Sequence, residues 1–358
     1  MTRRAHLEAL CAALRGAPSP DADWMAVLWL ANTSLVTPQI LTAAEAAGAS
    51  ERLPADGLPF LTEVRARNRE RNRRLFAQLA DALRALNAAN IEPALLKGAA
   101  LWVAQGRPAT FDRMLNDLDL LVRPDEAETA LAALKAAGFE LHNRYQGSEV
   151  HVFAELGRPS DVGFLDLHQR APGPPGAAEA AWGGGERRVA WDGVAARVAE
   201  PAAQIFQLVL HDQFHDGDYW RGTFDLRHLL DIAALAEADP DWAALNTLAS
   251  TPLLRRALEA QLLAARDLAG AAIPQRMLDD RLAGLQHRRR LAQFAHPALA
   301  GVLAAAGAAI DVPALLAHRA ANRRDRRRLF GEGRATVGLR ERLDRLRQLA
   351  AGPAAGKA

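Results

Sequence analysis

The densest run of chemistry-bearing residues is Asn116-Asp117-Leu118-Asp119-Leu120-Leu121-Val122. On a strand, residues two apart share a face, so Asp117 and Asp119 project together while Leu118, Leu120 and Val122 turn to a core. Two carboxylates this close repel, and one keeps its proton unless a cation lies between them. Hard oxygen ligands with an open side suit magnesium, or manganese, with triphosphate oxygens filling the remaining positions. The plain alternative is a strand end carrying two solvated acids. A third carboxylate follows in Phe164-Leu165-Asp166-Leu167-His168, where Asp166 and His168 share one face. If the two strands are neighbours, three carboxylates converge. Two metal ions about 3.5–4 Å apart could then clamp an in-line displacement at phosphorus, with Asp166 as ligand and candidate base. His168 is placed either to support a ligand or to act as an ordinary structural histidine.

Upstream, Leu95-Leu96-Lys97-Gly98 ends a short apolar run where a helix can begin. Free backbone N–H groups at such a point favour an anion. Gly98 lets the backbone approach phosphate closely and Lys97 neutralises it. Taken alone, these residues also describe an ordinary strand-to-helix turn with a solvated lysine. Arg113, four residues before Asp117, reads as a phosphate clamp or as a surface arginine.

The elements that must position these groups are legible in the pattern. Residues 2–90 read as helical, with Leu7, Leu10 and Leu14 at helical spacing and a long segment from about Pro59 to Asn90. The alternating Arg and Glu residues from Glu63 to Arg74 predict a solvated face there. Ile91–Lys97 predicts a strand, Ala99–Gln105 a helix, Leu118–Val122 a strand, and Asp125–Ala137 a helix capped by Asp125 and ended by Gly138. Phe139–Tyr145, Glu149–Leu156 and Val162–His168 predict three more strands. This order implies a mixed sheet. Ala171–Gly185, rich in Pro, Gly and Ala, predicts a mobile loop. Arg188–Val198 predicts a hairpin about Asp192-Gly193. From Pro201 to about residue 350 the chain reads as successive helices, and Gly352–Ala358 as a disordered tail.

Taken together, Leu96-Lys97-Gly98, Arg113, Asn116 through Val122 and Leu165-Asp166-Leu167-His168 resemble the uncharacterised nucleotidyltransferase family of the DNA polymerase β-like superfamily. The resemblance extends to the helix before Ile91, the hairpin before Glu200-Pro201, His211, and Trp220 through Asp231, covering roughly residues 60–235. It implies an α+β fold: a polymerase β-like nucleotidyltransferase core with a mixed sheet, flanked by N-terminal and C-terminal helical regions. It also implies Asp117 and Asp119 as metal ligands and Asp166 as the third carboxylate. The superfamily's Gly-Ser or Gly-Gly turn is here Lys97-Gly98-Ala99, with a longer spacer to Asp117. The expected grip on the γ-phosphate is therefore Lys97 with the Gly98 backbone. The domains so expected are a helical region at 1–90, the core at 91–198, a helical domain at 199–350 and a tail at 351–358.

The expected reaction moves a nucleoside monophosphate from an NTP to an acceptor and releases pyrophosphate. Members of the family occur beside peptide natural-product genes, so a modified peptide joins a small molecule, a protein side chain and an RNA end as acceptors to consider. Two rival readings differ in class. One is an inactive nucleotide- or peptide-binding module on the same fold. The other is a zinc hydrolase using His211 and His215, which share a helix face, with no obvious downstream third ligand although His228 exists. That pattern carries Asp212 where zincin-type proteases carry Glu. His211 otherwise lines the nucleotide or acceptor pocket, or sits with Asp212 at a solvated helix end. Arg227 and Asp231 read as an i,i+4 pair.

Composition bounds the remaining classes. With 44 Lys and Arg against 42 Asp and Glu, the net charge of +2 gives no case for nucleic acid or a membrane surface. The basic clusters Arg288–Arg290 and Arg323–Arg328 lack interleaved aromatics and read as solvated helix faces. A single cysteine, Cys11, excludes an internal disulfide framework, and no apolar run reaches the ~20 residues of a spanning helix. A cytoplasmic protein is the expectation.

Overall fold

The computed structural model describes residues 2–105, 112–147, 150–183 and 185–330. Part of the strand expected from Glu149, the centre of the Gly183–Gly185 run and the tail from 351 lie outside the described residues. The first half of the chain runs α1 (Arg3–Leu14), α2 (Trp24–Thr33), α3 (Thr37–Ala46), α4 (Leu58–Ala88), β1 (Ala94–Leu95), α5 (Lys97–Gln105), β2 (Asp117–Leu121), α6 (Ala127–Ala136), β3 (Glu140–Arg144), β4 (Val152–Gly157) and β5 (Phe164–His168). There follow α7 (Ala177–Gly183), β6 (Glu186–Trp191), β7 (Val194–Ala199), α8 (Pro201–Leu210), α9 (Asp218–Arg221), α10 (Leu226–Ala236), α11 (Trp242–Leu248), α12 (Pro252–Ala264), α13 (Arg281–Ala295), α14 (Ala300–Ile310) and α15 (Val312–Phe330). Among the described residues no single helix is long and apolar enough to cross a membrane.

Among the described residues seven strands form one mixed sheet in the order β3-β4-β5-β2-β1-β7-β6, so the chain is α+β with helices around a mixed sheet. β2 is central. It pairs parallel with β5, Asp119 opposite Asp166, and antiparallel with β1. The alternation read from the sequence holds in β2 and β5: Leu118, Leu120, Leu165 and Leu167 are fully buried against α4 and α6. A second apolar core gathers α1 to α3 with α8, α10 and α12.

Several local expectations are corrected. The β1 strand is two residues long, because the chain enters the helix α5 already at Lys97, whose φ is +48°. Helix α6 is capped at Glu126, not Asp125. The Glu126 carboxylate accepts from the Arg123 N–H at 3.1 Å rather than from the first turn of the helix. The Pro/Gly-rich segment holds the short helix α7, whose Ala177, Ala178 and Ala181 pack in the helical core. Small side chains let it lie close, which composition alone reads as a loop. Arg289 and Arg290 are buried rather than solvated, donating to the carbonyls of Tyr219 and Thr223 and so tying α13 to α9 and to the turn that follows it.

Helix α4 also departs from a purely solvated polar face. Asn68 and Asn72 donate to the carbonyls of Asp112 and Arg113 at 3.0 and 2.9 Å, and Arg71 donates to the carbonyls of Leu115, Asn116 and Val162. Arg69 forms a bidentate pair with the buried Asp112. The stretch leading into β2 has no strand partner, and α4 satisfies its carbonyls from the side. Gln78 does the same for Gly163 ahead of β5. A methyl group on Gly163 would lie 2.8 Å from Leu75 and 2.9 Å from the Asn116 carbonyl oxygen, so only glycine lets the two lead-in segments pass. Gly163→Ala is expected to cost about 1–3 kcal/mol through overpacking, read as a lower urea midpoint; an unchanged midpoint would disprove this close fit.

Candidate functional site

Register places Asp119 of β2 beside Asp166 of β5, and the two-residue repeat adds Asp117 and His168 to the same sheet face. Ligand-capable atoms of Asp119, Asp166 and His168 all lie within 4.8 Å of one another. Asp119 is the buried centre of this group. Its Oδ1 accepts from Lys97 Nζ at 2.8 Å and lies 2.9 Å from His168 Nε2. Lys97 reaches it because the sharp β1-to-α5 turn puts the lysine at the first position of α5, next to the paired strand β2.

The charges respond to this crowding. Burial would raise the Asp119 pKa, but the Lys97 ammonium and the His168 hydrogen bond outweigh it and hold the carboxyl below the usual range. Asp117 moves the other way, raised by the charge on Asp119 and then by burial. Asp166 is pushed up to about 7, first by burial and then by Asp119 and Asp117. Burial works to strip the proton from Lys97, yet Asp119, Asp117 and Asp166 together raise its pKa. The cluster is thus organised around positive charge.

The other sequence-selected residues fall into two groups. His211 and Lys97 line one narrow cavity of about 20 Å³ between α5, α8 and α10. That is room for about one water, too little for a nucleotide. Gly98 and Arg113 meet, and the arginine is engaged within the protein. Arg113 is buried, its guanidinium paired with Asp231 at 2.7 Å and donating to the Met114 carbonyl. It is therefore not a surface arginine, and the anion it meets is the Asp231 carboxylate. A methyl group on Gly98 would lie 2.4 Å from Arg113 Nη1, so glycine is required by the arginine packed against it. Asp231 therefore does not pair with Arg227, which bonds the α10 cap Asp225 at 2.8 Å.

His228 does not group with both His211 and His215: it is buried, bonds Asp212 at 2.7 Å and groups with His211 and Asp212, while His211 and His215 group with Asp216. Two members of the surroundings were not anticipated. Glu155 of β4 lies opposite Asp166 and adds a fourth acid to the sheet face; an acid inside the apolar run Phe153 to Leu156 was the available signal. His151 lies between His168 and His215, with ring centroids at 5.6 and 4.4 Å. Nothing in its own sequence context marks it.

An acidic cluster on adjoining strands, a lysine at a helix start and a mixed α+β scaffold define the class of a nucleotidyl-transfer protein. Residues 20–270 match the profile of the family described as uncharacterised nucleotidyltransferase, and the chain belongs to that family. The match reaches further into both helical regions than the motifs alone. Among curated proteins none matches. Two solved structures show distant similarity. One is the antibiotic-resistance factor ANT(2″)-Ia in solution, with 16% identity over 49% of this chain and 90% of that one and a TM-score of 0.35. The other is ANT(2″)-Ia in complex with adenylyl-2″-tobramycin, with 14% identity over 48% and 92% and a TM-score of 0.33.

Two outcomes test the site. Asp231→Ala strands the buried Arg113 charge and is expected to cost about 3–5 kcal/mol, measured by chemical denaturation; a loss under about 1 kcal/mol would show the pair to be incidental. For pH, the folded chain keeps a proton on Asp166 up to about 7, whereas the unfolded chain releases it near 4. The folded state then binds more protons, so this group's contribution to stability declines as pH rises through that window. His151, lowered to about 2 by burial and then by its histidine neighbours, acts in the opposite sense below about pH 6.5. Comparison with Asp166→Asn separates the two. The wild type should lose more stability than the variant between about pH 4 and pH 7, and equal losses would refute the raised pKa.

Proposed function

We propose that the protein transfers a nucleoside monophosphate from a magnesium-bound NTP to an acceptor hydroxyl or phosphate, with release of pyrophosphate. The observation that carries this reading is the placement of Asp119 against Asp166 on parallel neighbours β2 and β5, with Asp117 on the same face. Family membership supports the class of reaction. The donor set fits a hard divalent cation: the carboxylates crowd one another, two have raised pKa values, and an ammonium group already balances them.

Asp117, Asp119 and Asp166 would hold magnesium, which supplies charge neutralisation at the triphosphate and lowers the pKa of the acceptor hydroxyl. His168 fixes Asp119 by a hydrogen bond to its Oδ1, orienting the carboxylate. Lys97 exchanges its bond to Asp119 for a phosphate oxygen as the substrate arrives, with the N–H groups at the start of α5 facing the same anion. Asp166, whose carboxyl is pushed up to about 7, takes the acceptor proton. His211 stands beside Lys97 at the edge of this arrangement. Arg113 acts through position, holding α10 to the segment before β2. The acceptor, a small hydroxylated molecule or a peptide, approaches from the open face beside Asp166.

The test is pyrophosphate release from each of the four NTPs with magnesium and an acceptor panel. Asp119→Asn is expected to lower the rate by at least ~10²-fold, and His168→Gln by ~10–100-fold. Tight NTP binding with no transfer to any acceptor, unchanged in Asp119→Asn, would favour the binding module instead.

A further inference from the structure

We propose that His211, His215 and Asp216 form a second metal site, suited to a borderline divalent ion of the zinc or nickel class and separate from the carboxylate cluster. This site stands independently of the nucleotide-transfer reading.

The backbone builds it. After α8 the chain widens into one turn of π-helix, His211–His215, and the Asp216 N–H bonds the His211 carbonyl at 2.9 Å. That i→i+5 bond brings the residue five positions on beneath the first, where a regular α-helix would carry it round to another face. Gly217, at φ +79°, then ends the turn. Ligand-capable atoms of the three side chains lie within 4.8 Å of one another, and His211 Nδ1 is 3.5 Å from Asp216 Oδ2. That separation is close to the edge of a tetrahedron with bonds of about 2.1 Å.

The donors set the class of ion. Two imidazoles and one carboxylate favour zinc, nickel or cobalt over magnesium, which prefers oxygen. Three protein ligands leave positions open, and His215 is exposed, so water or a substrate oxygen can complete the coordination. The turn is held from behind by the fully buried Asp212. Its carboxylate bonds His228 at 2.7 Å and Gln261 at 3.1 Å, which fixes the turn that carries the three ligands. His151 packs on His215 and on His168, so one wall of imidazoles joins this site to the Asp119 cluster.

The probe is cobalt(II), titrated into the full chain after chelator treatment, with zinc calorimetry in parallel. The expected result is one tetrahedral-type visible absorption band at one equivalent. His215→Ala and Asp216→Asn should each weaken cobalt and zinc binding by ~10–100-fold or more while keeping the wild-type circular dichroism, and Asp119→Asn should leave binding in place. His215 is exposed, so its variant should fold; Asp216→Asn, which preserves shape, gives a second reading. The proposal is overturned by absence of stoichiometric binding, by binding that both variants retain, or by binding that only Asp119→Asn removes.

Discussion

Mutual repulsion among carboxylates on one sheet face is the constraint around which the central part of the molecule is arranged. Asp117 and Asp119 are two residues apart on β2, and Asp166 lies directly across on β5. Most of this charge is shielded from water, so it must be balanced locally. Lys97 and His168 converge on one oxygen of Asp119 and keep that residue ionised, while the remaining repulsion drives protons onto Asp117 and Asp166. The arrangement stores an affinity for positive charge.

The scaffold follows from that demand. The carboxylates need two parallel neighbours brought side by side, and parallel pairing requires a crossover. Here α6, β3 and β4 make the connection, with β4 returning antiparallel on the far side of β5. The lead-in to β2 has no partner strand, so α4 satisfies its carbonyls through Asn68, Arg71 and Asn72. The Arg113–Asp231 pair fixes the same lead-in to α10, and Gly98 is small because that arginine occupies its flank. One polar framework thus runs from α4 through the site to the C-terminal helices. Such buried networks cost desolvation and are justified by the geometry they hold.

The histidines extend this framework. His168, His151, His215, His211 and His228 follow one another in ring contact from the Asp119 oxygen to the buried Asp212. They come from two strand regions, one π-turn and one helix. Close packing and burial favour neutral imidazole here, as the lowered pKa of His151 illustrates.

Local pattern was enough to determine the alternation of β2 and β5, the shared face of Asp117 with Asp119 and of Asp166 with His168, most helices and the hairpin about Asp192-Gly193. These depend on residue spacing and on turn chemistry, which are properties of adjacent residues. What only the tertiary structure decided was pairing across long separations. Asp231 was legible as one half of an ion pair, but its partner lies 118 positions away in Arg113 rather than one helical turn back. Arg71 and Arg290 donate to backbone carbonyls, and Arg289 to one carbonyl besides Gln286 and Gln293; a carbonyl partner carries no sequence signature. Asp216 joins His211 only because one turn widens, and Glu155 faces Asp166 only through strand register. A charged side chain shows its need for a partner in the sequence; which partner it meets is set by the packing that brings distant segments together.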